Sequence, residues 1–202
     1  MDRTYIFEKV TGHTPGIAAS RGDHDLNPGM LPDIELTAAA VLVPLVLRAE
    51  GIMTLFTQRT DDLATHAGQV SFPGGHVDAT DKSPEDAALR ETEEEVGLDR
   101  RHIEVIGRLD TYKTRTGFSV IPVVGLITPP FEITPDPSEV AEVFEVPLEF
   151  LMDPDNHERH SREFKGATRE FYAMPYNGHF IWGATAGMVV NLYDVLIKTR
   201  ED

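Results

Sequence analysis

Three glutamates, Glu91, Glu94 and Glu95, stand at i, i+3 and i+4, a short way beyond the glycine pair Gly74-Gly75. On a helix that spacing puts their carboxylates on one face, where like charges repel at a cost of roughly a few tenths of a kcal/mol per pair. A solvated acidic face would explain them. So would a site for a hard cation, because Mg²⁺ or Mn²⁺ takes a tight group of oxygen ligands and cancels the repulsion. Two neighbours favour the cation site: the glycine-rich loop that leads in, and Arg90, placed to hold one carboxylate.

The helix that must carry these groups is marked at both ends. Ser83 is a good N-cap, Pro84 suits the first helical position, and Glu85 and Asp86 complement the positive end of the dipole. Gly97 supplies a left-handed residue to end it. Leu89 and Val96, on another face, are the expected core contacts.

Strands are expected on both sides of this helix. Ala38 to Leu47 reads as a buried strand in which Pro44 indicates an edge or a bulge, and Ile52 to Gln58 follows as its hairpin partner. Gln69 to Phe72 is short and extended. Ile103 to Leu109, Phe118 to Ile127 (with Pro122 inside it) and Glu139 to Val146 are strand-like, and a short helix follows from Leu148 to Met152. Residues 153–168 are polar and charged and read as a mobile loop, with His157 and His160 in solvent. A hairpin is expected around Asn177-Gly178, then a closing helix from Trp182 to Lys198, with Trp182 in the core. Residues 1–36 show little periodicity and read as an irregular arm with a short helix, leaving 37–202 as a single α+β domain.

Composition narrows the function. A net charge of −16 argues against nucleic acid as a partner, and an anionic small substrate would need metal ions and a local basic lining. Without cysteine there is no disulfide and no thiol catalysis. No leader pattern and no apolar run of membrane-spanning length is present, so no membrane partner is expected and the expected location is cytoplasmic. A homodimer is left open.

The residues Gly75, Arg90-Glu91, Glu94-Glu95, Gly97 and Leu98 resemble the Nudix box, G-x5-E-x7-R-E-U-x-E-E-x-G-U, where U is bulky and apolar. Asp81 stands where the first Glu belongs, one extra residue separates it from Arg90, and Thr92 takes a U position. Ahead of the box, Leu55-Phe56-Thr57-Gln58-Arg59-Thr60, Gly68 and Phe72-Pro73-Gly74-Gly75 are similar to the motif L-L-T-x-R-[SA]-x3-R-x3-G-x3-F-P-G-G of the coenzyme A pyrophosphatase branch. Ala64 replaces that motif's second arginine.

The resemblance implies an α/β/α sandwich with a mixed central sheet and metal-dependent hydrolysis of a pyrophosphate bond in coenzyme A or its thioesters, giving a phosphopantetheine fragment and 3′,5′-ADP. Another nucleoside diphosphate conjugate, such as ADP-ribose or a dinucleotide, is the alternative substrate; a non-catalytic nucleotide-binding module is the alternative class. It implies Glu91, Glu94 and Glu95 as metal ligands, helped by the carbonyl of Gly74 or Gly75, and Glu94 and Arg90 in the catalytic set. Glu139 and Glu142 are candidates for a general base outside the box, Glu139 first. Arg59 is placed for a phosphate, though a surface ion pair with Asp61 or Asp62 would also explain it. Lys113 and Arg115 share a loop that faces either substrate or solvent. His66 is structural or lines the substrate.

Overall fold

The fold is seen in a computed structural model that describes residues 1–16, 20–29, 34–61, 66–164 and 166–198. Among them the chain runs α1 (Arg3–Thr11), β1 (Arg21–Gly22), β2 (Thr37–Arg48), β3 (Gly51–Arg59), β4 (Val70–Ser71), β5 (Gly74–His76), α2 (Pro84–Val96), β6 (Ile103–Arg108), β7 (Tyr112–Lys113) and β8 (Phe118–Ile127). It continues with β9 (Val140–Pro147), α3 (Leu148–Leu151), β10 (Glu158–Phe164), β11 (Ala167–Tyr176), β12 (His179–Trp182) and α4 (Gly183–Leu196). One mixed sheet has the order β1-β7-β8-β2-β3-β4, with β5 beside β2, β6 beside β8 and β9 beside β3. A second, antiparallel sheet has the order β10-β11-β12.

β2 is the spine, and its alternation divides the core. Val43 and Leu45 join Ile6 and Val10 of α1 and Val189 and Leu192 of α4. Ala40 and Leu42, pointing the other way, join Ala87 and Ala88 of α2. Both faces of the strand are therefore covered, which is why its sequence is apolar without interruption. Each Leu or Val buried this way stabilises the fold by about 1.5–3 kcal/mol. Helices on either side of a mixed sheet make the expected α/β/α sandwich.

Pro44 lies in neither an edge nor a bulge. β2 pairs with β5 over Ala39–Val41 and with β3 over Leu45–Arg48, so Pro44 falls where one partner has left and the other has not begun. Pro122 does the same on β8, between its pairing with β7 at Ser119 and Val120 and with β6 from Val123 onward. A proline removes a ladder donor; each sits at a fork on one side of its strand while staying in register on the other, Pro44 opposite Gly125 and Pro122 opposite Val41.

The short helix expected within residues 1–36 is present as α1, which buries Ile6 and Val10, and after it β1 pairs in parallel with β7. Two further expectations are corrected. Residues 158–164 are a strand rather than a loop, paired from Glu158 opposite Ala173 to Phe164 opposite Ala167. His157 is not in solvent, since its Nε2 lies 2.7 Å from the Leu151 carbonyl and its ring stands edge-on to Tyr193. The tip of the β11–β12 hairpin is as expected, with Asn177 at φ 46° and Gly178 at φ 90°, the two positive values a tight hairpin turn requires.

Candidate active site

Helix α2 begins and ends as its sequence dictates. Ser83 Oγ accepts from Asp86 N at 3.3 Å, Pro84 opens the first turn, and Gly97 at φ 70° donates its N–H to Glu93 O. Val96 is buried, as are Ala87, Ala88, Thr92 and Glu95, while Leu89 is partly buried against the same cluster.

The two glycines let α2 and β2 close on β5. At Gly74 (φ 149°) a Cβ would stand 2.4 Å from the Ala40 carbonyl oxygen and 2.5 Å from Val41 Cα. At Gly75 it would stand 2.6 Å from the carboxylate carbon of Glu91. Glu95, 5% exposed, accepts from Gly74 N at 3.1 Å and lies 3.5 Å from Arg59 Nη1. Burial pushes its carboxyl up to about 7, against the pull of Gly74 N–H and Arg59, with the charges of Glu139 and Glu91 adding to the rise. Burial also raises the half-buried Glu91, and Glu94 and Glu139 add to it against the pull of Arg90.

Arg90 organises the acidic side rather than facing a substrate. Its Nε and Nη2 donate to the two Asp81 oxygens at 3.0 Å each, so the aspartate in the first-glutamate position is the arginine's fork partner. Its Nη1 donates to Glu91 at 3.0 Å and Glu94 at 2.9 Å, and its Nη2 to the His76 carbonyl at 3.1 Å.

Glu91, Glu95, Glu139, Arg59, Gly74 and Gly75 line one cavity of about 920 Å³. Glu94 is not brought to it: its side chain is 60% exposed and turned to Arg90. Among the described residues no three His, Asp or Glu side chains converge as a ready ligand set. Glu139 stands 3.9 Å from Arg59, whereas Glu142 is half exposed, 3.8 Å from His179 and outside the cavity lining. Arg59 therefore pairs with Glu95 and Glu139 rather than with Asp61; Asp62 and Ala64 lie outside the described residues. His66 lines the cavity with Nδ1 2.8 Å from Gln69 Oε1, and Arg115 lines it while Lys113 does not. A separate cavity of about 570 Å³ between α1 and α4 includes none of the glutamates.

The same wall holds residues that sequence reasoning did not single out. Asp23 accepts from Tyr112 Oη at 2.9 Å and from Arg115 N at 2.9 Å, and lines the cavity with both. Arg159, Arg162, Arg169 and Phe171 line it from the second sheet, and Trp182, expected in the core, lines it too. A signal for the arginines was present: three of them fall between 159 and 169 in a chain of net charge −16.

The NUDIX domain family model matches residues 36–166. The chain belongs to the Nudix hydrolases. An uncharacterized Nudix hydrolase, NudL, of Pectobacterium atrosepticum is 39% identical over 167 residues, which is 83% of this chain and 86% of that protein. NudL of Escherichia coli K12 is 42% identical over 154 residues, 76% of this chain and 80% of that protein. The crystal structure of DR0079 from Deinococcus radiodurans is 14% identical, with a TM-score of 0.51 over 80% of this chain and 87% of that one, a likeness of fold alone. Nudix hydrolases cleave pyrophosphate bonds of nucleoside diphosphate derivatives and generally use divalent metal ions, so this Nudix hydrolase is an enzyme acting on a small pyrophosphate-bearing molecule. No helix among the described residues is long and apolar enough to cross a membrane.

Proposed function

We propose that this Nudix hydrolase cleaves the pyrophosphate bond of coenzyme A or its thioesters, releasing a phosphopantetheine fragment and 3′,5′-ADP, with Mg²⁺ or Mn²⁺ as its cation. The observation that carries the reading is the seating of Glu91 and Glu95 behind Gly74-Gly75 in a cavity of about 920 Å³, near the upper end of small-molecule sites. The motif residues Arg59, Gly74 and Gly75 line that cavity.

The acidic set fits a hard divalent ion. Its donors are all oxygens, Glu95 is buried, and burial and neighbouring carboxylates make the charged forms of Glu91 and Glu95 costly without a counter-cation. Glu91 and Glu95 would hold the ion, with the Gly74 or Gly75 carbonyl, and Glu94 would join them on turning from Arg90. Bound there, it would supply charge neutralisation at the phosphates and activate water. Arg90 positions Glu91 and Glu94, and Asp81 fixes Arg90. Glu139 takes the proton of the attacking water as its oxygen bonds to phosphorus and the bond to the bridging oxygen breaks. Arg59, held loosely at 3.5 and 3.9 Å from its two carboxylates, keeps donors for a phosphate oxygen.

The test is product release from a panel of coenzyme A, an acyl-coenzyme A, ADP-ribose and a dinucleotide, each with Mg²⁺, Mn²⁺ or a chelator. The expected result is metal-dependent formation of 3′,5′-ADP from coenzyme A at the highest kcat/KM. Faster cleavage of ADP-ribose or the dinucleotide would replace the coenzyme A reading, and no turnover with any of them would favour a binding module.

A further inference from the structure

Away from the α2 glutamates and Glu139 the cavity lining holds five arginines against Asp23, Asp25 and Glu170, a basic excess in a protein whose net charge is −16. Arg162 on β10 and Arg169 on β11 are direct cross-strand partners, an arrangement that destabilises a sheet when both are charged. Arg115 reaches the same place from the turn between β7 and β8: burial and then the charges of Arg115 and Arg162 lower the affinity of Arg169 for its proton. Nη1 of Arg115 is buried with no hydrogen-bond acceptor among the described residues. Asp23, the acid that the turn engages, accepts from the Arg115 backbone and from Tyr112.

The aromatic surface beside them is ordered. Phe171 and Trp182 meet edge to face at 5.3 Å, and the Arg162 guanidinium lies 6.0 Å from the Trp182 ring centre. Both rings line the cavity. Forked guanidiniums suit the oxygens of a phosphate monoester, and aromatic faces suit a planar ring attached to it.

We propose that Arg115, Arg162 and Arg169 form a second anion subsite, which takes a phosphate monoester that the substrate carries apart from its scissile pyrophosphate. This rests on the reading that the glutamate set performs the hydrolysis, and it adds a specificity: the enzyme prefers substrates bearing that extra phosphate. The acids act on one group while the arginines hold another, and the two sets come from different elements, α2 and the β9 approach on one side and the second sheet with the β7–β8 turn on the other.

Coenzyme A and 3′-dephospho-coenzyme A differ by one such phosphate, so their KM values read the subsite directly. The expected KM for coenzyme A is lower by about tenfold or more, as charge-assisted bonds would give. In Arg162→Gln, whose side chain starts from an exposed residue, and in Arg115→Lys, which keeps the charge and loses the fork, the ratio of the two KM values should fall toward one, with little change in the ratio of kcat values. Equal KM values in the wild type, or an equal rise for both substrates in the variants, would overturn the proposal. Calorimetry with adenosine 3′,5′-bisphosphate and AMP separates it from the reading of the reaction. If neither coenzyme is hydrolysed, the substrate reading fails, but tighter binding of the bisphosphate that is lost in Arg162→Gln still supports the subsite. Equal binding of the two nucleotides rejects it whatever the enzyme cleaves.

Discussion

The carboxylate of Glu91 fills the space in which a side chain on Gly75 would begin: a Cβ there lies 2.6 Å from its Cδ and 2.7 Å from each oxygen. The obstacle is the far end of a flexible side chain, so Gly75→Ala should fold with a melting temperature close to that of the wild type. The carboxylate must move, however, and a displacement of about 1 Å in a catalytic group can cost on the order of 100-fold in rate. Gly74→Ala is the contrast, because its Cβ meets the backbone of Ala40 and Val41 and its φ is 149°. It should lose stability as well as activity. Parallel melting and turnover measurements check both; full activity in Gly75→Ala would remove Glu91 from the site.

Metal should stabilise the folded enzyme. A ligand that binds only the native state adds about 2.7 kcal/mol at 100 times its Kd. Mg²⁺ or Mn²⁺ should therefore raise the melting temperature of the wild type, and raise it less in Glu95→Gln and in the Glu94→Gln, Glu95→Gln pair. Each variant should keep its fold and lose most turnover, since an amide is a poorer ligand than a carboxylate. An equal upward shift in wild type and double variant would mean that the cation binds elsewhere.

How far these residues could be read in advance depends on the distance over which they act. The caps of α2, Ser83 and Gly97, and the hairpin tip at Asn177-Gly178 are local chemistry, and the structure shows them where the sequence puts them. The glutamate spacing is local as well, but its outcome is not. Glu94 and Glu95 are adjacent in sequence, yet one is turned to Arg90 and the other is buried against Gly74, because only Glu95 faces the sheet. Pro44 was legible as a break in pairing but not as a fork, since its position depends on where β5 ends and β3 begins. The arginines of β10 and β11 were hidden for a related reason. A polar strand with one face at a cavity has the composition of a solvated loop, and only its register against β11 makes Arg162 and Arg169 neighbours.

The first turn of α2 is fastened to β6 by Glu85 and Arg108, which makes a two-point contact with Nη2 2.6 Å from Oε2. Hydrogen bonds from that guanidinium hold the Glu85 carboxyl at about 2, below its ordinary 4.5. A carboxyl lowered in the folded state contributes stability above its unfolded value and loses it as pH falls through the folded one. The window is therefore from about 4.5 down to about 2. Discounted for partial exposure, Glu85→Gln should cost about 1 kcal/mol at neutral pH. Denaturant midpoints for wild type and variant should converge as the pH approaches 2. A gap that stays constant across the window would assign the loss to packing instead of charge.

Asn27 ties the segment after β1 to the second sheet. Its Nδ2 donates to Asp23 O at 2.7 Å and Glu170 O at 2.9 Å, and its Oδ1 accepts from Glu170 N at 2.9 Å. The residue is 7% exposed, so water cannot readily replace these bonds. Glu170 sits between Arg169 and Phe171, and the Asp23 end of the link supports Tyr112 and Arg115. Removing the amide in Asn27→Ala leaves backbone groups of β11 without their partner, at about 1–3 kcal/mol. The same change loosens the strand that carries the basic lining while leaving α2 and its glutamates untouched. The expected outcome is a lower melting temperature with a rise in KM that exceeds the fall in kcat. Steady-state kinetics at a temperature well below the transition separate the two effects. A fall in kcat with KM unchanged would mean that this link supports the glutamate set and not the arginines.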